Sequence, residues 1–187
     1  MMEQTLAALL NRHSQGIKHL AEPAPDDSQL ALMSEAALRA PDHASLVPFR
    51  FAVVRGAARE RLAQLFAQAA SDAGKDAEAV AMDAQRARRA PVTVAVIARI
   101  DMGHPLVPAH EQWMAVGGAL TNFLNAAHLL GFAGKMLSGR KARDPRVVAA
   151  FCGPGETLIG WIGLGTATRT PSARPSKAGV SGVLRDW

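Results

Sequence analysis

Two short runs of residues in this chain have the types and spacing to bind a phosphorylated ligand. The first is Asn11-Arg12-His13-Ser14, directly after a helical stripe of Leu6, Leu9 and Leu10. A guanidinium offers a planar fork of N–H donors that matches a phosphate, and a neighbouring hydroxyl adds another donor. The second is Arg39-Ala40-Pro41-Asp42-His43-Ala44-Ser45-Leu46-Val47-Pro48-Phe49, where a helix ends and a strand begins. Each run also has a plainer reading. Arg-His-Ser behind a helix can be a solvated C-terminal cap. Asp42-His43 can be a turn in which Asp42 accepts from backbone N–H groups.

The motifs of other chemistries fail. There is no Walker A loop, and Gly160, Gly163 and Gly165 approach a dinucleotide fingerprint inside a strand rather than at the start of a helix. Ser138-Gly139-Arg140-Lys141 matches S-x-x-K by letter, without its companion motifs. No G-x-S-x-G or H-E-x-x-H occurs, and His104, His110 and Glu111 are the nearest approach to a metal cluster. Cys152, the single cysteine, excludes an intrachain disulfide and any multi-cysteine metal site. No metal is expected. A chain this poor in acid–base and nucleophilic machinery can still be an enzyme if a cofactor carries the chemistry, and a flavin fits that description.

The elements that must position these residues follow from periodicity. Helices are expected at residues 3–12, from the Asp26-Asp27-Ser28 cap to the stop at Pro41, around Leu62, Leu65, Phe66 and Ala69, at 76–89, at 110–130 and after Asp144-Pro145. Strands are expected at 47–54, 91–98, 132–137 and 158–164, the second as a buried β-branched run. Residues 13–25 and 99–109 read as irregular, and the last twenty as extended. This alternation gives an α/β or α+β sandwich. The 187 residues suit one domain without staples.

The net charge of +5 admits three partners: nucleic acid, a membrane surface or a small anion. With no tyrosine and few aromatics, base-stacking platforms are scarce, so nucleic acid is not expected. The denser basic run, Lys135, Arg140, Lys141, Arg143 and Arg146, exceeds what one phosphorylated cofactor needs. The longest apolar stretch, Trp113 to Leu130, is broken by Gly117-Gly118, Asn122, Asn125 and His128, which suits a protein interior or interface rather than a membrane. The first residues carry no basic leader before an apolar core, so no signal peptide is expected, and the single cysteine suits a reducing, cytoplasmic setting.

Taken together, the two basic runs resemble the nitroreductase family, most closely its smallest bacterial NAD(P)H-dependent members. There an Arg-x-Ser triplet ends the first helix, and an Arg-Ala-Pro-Asp-His-x-Ser-x-x-Pro segment follows the second; the chain keeps every fixed letter of the latter, Arg39 to Pro48. The linker Leu20-Ala21-Glu22-Pro23-Ala24-Pro25, Glu111-Gln112, Asn122, Gly131-Phe132-Ala133-Gly134 and Gly163-Leu164-Gly165-Thr166 fit more loosely.

The resemblance implies an α+β three-layer sandwich, a mostly antiparallel central sheet flanked by helices, in a homodimer with FMN at the interface. Arg12, His13, Ser14, Met136, Leu137, Ser138 and Arg174 would bind FMN, with Arg39 and His43 reaching FMN of the partner subunit. Ala126, Ala127, His128, Leu129, Leu130 and Gly131 would meet NADH or NADPH. Hydride would pass in ping-pong order from NAD(P)H to FMN and then to a nitro-aromatic, quinone or similar small acceptor, with no catalytic side chain. A narrower reductase, a dehalogenase-like activity and a flavin-binding protein without turnover stay open. The chain departs from the pattern at Met136-Leu137-Ser138, where close members carry Trp-Arg-Ser; Lys18, Lys135 and Arg140 are the candidate replacements for the missing cation. The tail is expected to embrace the partner.

Overall fold

The β-branched run in the middle of the chain sets the architecture. Val92–Arg99 (β3) is buried from Val92 to Ala98, as a central strand covered on both faces must be. Its side chains alternate between two cores. Val92, Val94, Val96 and Ala98 enter one, and Ala95 and Ile97 enter the other. The computed structural model describes residues 2–170, 179–184 and 186.

The remaining elements are Met2–Leu10 (α1), Leu20–Ala21 (β1), Asp27–Ala37 (α2), Phe49–Val54 (β2), Ala58–Asp72 (α3), Ala77–Arg88 (α4), Ala109–Leu129 (α5), Ala133–Leu137 (β4), Pro145–Phe151 (α6) and Glu156–Ala167 (β5). The sheet runs β1-β5-β3-β2 with β4 also on β5, and every pairing is antiparallel. Helices α2 and α5 cover one face through Leu30, Met33, Val116, Ala119 and Phe123. Helices α3, α4 and α6 cover the other through Leu62, Phe66, Ala87 and Val147. This is the expected three-layer α+β sandwich.

Local chemistry explains the helix boundaries. Asp26 caps α2 in a reciprocal box with Gln29, and Asp144 Oδ1 accepts from the Arg146 and Val147 amides ahead of Pro145 at the first turn of α6. Gln112, buried in the first turn of α5, donates to the carbonyls of Asp101 and Val107 and accepts from the Asp101 amide. That one amide pins the 99–108 loop to the helix.

Three expectations need correction. Residues 13–25 are not irregular throughout: a helical turn at Ile17–His19 leads into β1, which pairs with the end of β5. A two-residue strand leaves no alternation to detect. Strand β2 starts at Phe49 rather than 47, because Ala44, Ser45 and Val47 all take positive φ. The final residues include a helical turn at Val180–Gly182; residues 171–178, part of the expected extended tail, lie outside the described set. No helix among the described residues is long and apolar enough to cross a membrane.

Candidate active site

Strand β4 organises the candidate site. The chain after α1 runs along it: Ser14 bridges Gly134 in parallel, and the Gln15 amide donates to the Gly134 carbonyl at 3.1 Å. The Arg12-His13-Ser14 run is therefore held against the strand that ends in Met136-Leu137-Ser138. Strand β4 can lie this close to β5 because Gly160 has no side chain. A Cβ there would collide with the Leu137 carbonyl, and its φ of +146° suits glycine alone. Ile159 has no partner on β3 opposite it, so a bulge falls at the same point. The near-miss glycine motif thus serves close strand packing, not dinucleotide binding.

Two cavities flank this seam. One, of 210 Å³, is lined by Arg12, His13, Gln15, His128, Gly131 and Gly134 among others. The second, of 310 Å³, has an apolar wall of Ile17, Leu62, Phe66, Leu137 and Trp161, with Ser138, Arg86, Arg140 and Lys141 at its polar side. Each is lined by a residue whose buried donor has no acceptor among the described residues, Gln15 Nε2 for the first and Trp161 Nε1 for the second. Buried donors are nearly always satisfied, so both point to a ligand bearing acceptor atoms. From Gly134 to Ser138 the strand advances about 13 Å, a spacing that suits an elongated ligand with a phosphate at one end and a ring at the other.

Expected site residues divide into several groups. Arg12, His13, Leu137 and Ser138 line these cavities, whereas Met136 packs on the α5-side core and lines neither. Of the three candidate replacement cations, Arg140 lines the cavity with Leu137 and Ser138; Lys18 and Lys135 do not. His128 and Gly131 share the first cavity with Arg12, but His128 Nε2 also bonds the Ala8 carbonyl at 2.9 Å and so ties α1 to α5. Ala127 is a core residue, Ala126 packs beside it, and Leu129 and Leu130 face outward. Arg174 lies outside the described residues.

Arg39 and His43 are elsewhere. His43 Nδ1 lies 2.7 Å from Glu111 Oε2 in the first turn of α5, and Arg39 is exposed without a side-chain partner among the described residues. Glu111 and His128 are 17 residues apart on α5, about 25 Å at 1.5 Å per residue. Within one chain the two basic runs serve opposite ends of the helix. The loop between Arg39 and β2 is strained, since a β-branched residue such as Val47 rarely takes a φ of +48°. Asp42 holds it there by accepting from the Val47 amide at 2.7 Å.

Asp83 escaped sequence reasoning. Its carboxylate is 1% exposed on the inner face of α4 and meets Lys75 at 2.7 Å, Arg86 at 2.9 Å and Lys141 at 2.9 Å. Burial pushes its pKa up, but the Lys75 and Lys141 ammonium groups more than offset this and hold it at about 2. An aspartate four residues before the buried Ala87 was the available signal. Arg86 is accordingly anchored at the second cavity rather than simply solvated. No group of three or more His, Cys, Asp or Glu among the described residues is placed to hold a metal.

Known proteins share both sequence and fold with this chain. The Escherichia coli (strain K12) protein named Putative NAD(P)H nitroreductase YdjA is 38% identical over 162 residues, 86% of this chain and 87% of that one. The crystal structure of a nitroreductase-like family protein from Bacillus cereus superposes with a TM-score of 0.82 at 16% identity, over 98% of this chain and 95% of that chain. The FMN-dependent nitroreductase NfnB from Mycobacterium smegmatis, in complex with NADPH, gives 0.73 at 17% identity over the whole of both chains. The nitroreductase family model matches residues 9–166, and the chain belongs to the nitroreductase family.

Proposed function

We propose that this protein is an FMN-dependent oxidoreductase that draws electrons from NADH or NADPH and passes them, in ping-pong order, to a nitro-aromatic, quinone or similar small acceptor. The observation that carries this reading is the β4 seam, where Arg12 and an unsatisfied Gln15 amide lead to Leu137, Ser138 and an unsatisfied Trp161 indole. Bound FMN supplies a ring that accepts two electrons from the coenzyme and releases them to the acceptor.

The residues do the rest. Arg12, His13 and Ser14 offer charge-assisted and neutral hydrogen bonds to a phosphate. Phe66, Leu137 and Trp161 form an apolar wall that excludes water. Arg86, Arg140 and Lys141 supply positive charge beside it, which favours a ligand that becomes more negative on reduction. His128 and Gly131, next to Arg12, are the members of the 126–131 segment best placed to meet NAD(P)H. No side chain acts as a nucleophile.

A homodimer completes the site, with Arg39 and His43 contributed across the interface. Two observations support this: the 25 Å scale separation of the basic runs along α5, and an apolar surface of Leu6, Leu10, Met114, Leu129 and Leu130 exposed on α1 and at the ends of α5. A single cysteine suits a reducing cytoplasm.

The test is spectroscopic. Purified protein should carry oxidised-flavin absorbance, bleach anaerobically with NADH or NADPH, and regain colour with a quinone or nitro-aromatic. A protein that neither retains nor takes up FMN would sink the reading.

A further inference from the structure

The cations around Asp83 outnumber what one carboxylate requires. Lys75 comes from the α3–α4 turn, Arg86 from α4 and Lys141 from the helical turn Arg140–Arg143, and all three meet on Asp83. Both ammonium groups share the single oxygen Oδ2. Beside them opens a third cavity of 160 Å³, lined by Ala69, Ala70, Ala73, Lys75, Asp83, Arg140, Lys141, Arg143 and Asp144. Asp144 spends its Oδ1 capping α6, and neither Arg140 nor Arg143 has a side-chain partner among the described residues. Several other arginines are engaged by carboxylates: Arg50 with Glu156, Arg55 with Asp27, Arg88 with Glu60 and Arg146 with Asp72. Three members of the sequence's basic run, Arg140, Lys141 and Arg143, thus join Lys75 around a concavity with excess positive charge, and the buried carboxylate fixes the heads of two lining cations in advance.

We propose that the cavity between the end of α3 and the Arg140–Arg143 turn is an anion site for a phosphate group, bound by Lys75, Arg140, Lys141 and Arg143. A tetrahedral dianion suits these donors: two guanidinium forks can bind its edges while two ammonium groups, already oriented by Asp83, act as point charges. Asp83 stays ionised down to about pH 2, so it holds those ammonium groups in place throughout the neutral range. Arg140 and Lys141 also line the 310 Å³ cavity, so an anion here would lie next to the proposed cofactor cavity, with Lys75 and Arg143 belonging to this cavity and not to that one. The phosphate could belong to a free phosphate compound or to the 2′-phosphate of NADPH, and the chemistry is the same.

Calorimetric titration of inorganic phosphate into the Arg12→Ala protein at fixed ionic strength isolates this cavity from the first. One saturable site is expected, with a Kd on the order of 1 mM. Arg140→Gln and Arg143→Gln, both at exposed positions, should each weaken it about tenfold, and Arg143, which lines this cavity and not the 310 Å³ one, makes the assignment. Displacement of phosphate by 2′-phospho-ADP-ribose, bound about tenfold tighter than ADP-ribose, would support the site and assign it to the coenzyme. Phosphate binding without that preference would support it as a site for free phosphate compounds. Absence of saturable binding, or an affinity unchanged by both glutamine substitutions, would overturn the proposal.

Discussion

Arg12 and Arg39 have the same side chain and the same lack of a side-chain partner among the described residues, yet they sit in opposite kinds of structure. Arg12 begins a segment that is knitted into the sheet: Ser14 bridges β4, Gln15 is buried, and Ile17 packs where Gly163 lacks a side chain. Arg39 begins a loop anchored on α5 by the buried Ala40 and by His43 paired to Glu111, with three non-glycine residues at positive φ. The first region is a built cavity. The second is a preformed projection whose Arg39 has no side-chain partner among the described residues. Such a pair makes sense when the projection of one copy completes the cavity of another.

Removing the ground on which the first region stands should have the largest effect. Gly160→Ala places a methyl group against the Leu137 carbonyl and forces an alanine to a φ of +146°. Overpacking and backbone strain together should cost about 4 kcal/mol. A denaturant titration should show it as a lowered midpoint. If the variant is as stable as the parent, β4 is free to move and the seam is not rigid.

The comparison itself is tested next. Arg12→Ala and Arg39→Ala should each weaken FMN retention by about 10- to 100-fold, the scale of a lost charge-assisted hydrogen bond. Neither change touches the core. A mixture of the two variants, unfolded and refolded together, then separates the regions. If the arginines meet across an interface, a mixed dimer has one complete site, and about a quarter of all sites should recover normal affinity. If both arginines serve their own chain, mixing recovers nothing.

Much of this arrangement was legible in the sequence, and the exceptions have physical causes. The long helix, the buried strand β3 and the caps at Asp26 and Asp144 announce themselves by period and by acceptor placement. The family pattern in residues 39–48 pointed to one half of the proposed site, and Arg12-His13-Ser14 took its meaning from that pattern. What stayed hidden depends on distance in space. That Gln15 is buried beside Gly134, that Arg140 rather than Lys18 or Lys135 borders the second cavity, and that Asp83 gathers cations from three segments all require the chain to be folded. Met136 lies away from both cavities for a simpler reason. Strand alternation turns it to the opposite face from Leu137, onto the α5 core.

The smallest expected effect probes the projection alone. Val47 holds a left-handed conformation that costs a β-branched residue about 1–3 kcal/mol. It is kept there by the Asp42 carboxylate on its amide and by Pro48 beginning the entry into β2. Glycine accepts that conformation freely but gains freedom in the unfolded chain, which offsets part of the relief. Val47 also packs, half-buried, against the α5-side core, so Val47→Gly trades the relief of strain for lost packing and should leave stability within about 1 kcal/mol of the parent. If the strain serves only to aim Arg39 and His43, the same substitution should loosen the loop and slightly weaken FMN retention at nearly unchanged stability. A variant of parental stability that retains FMN fully would show that the projection is aimed by Asp42 and the His43–Glu111 pair without help from the strained backbone.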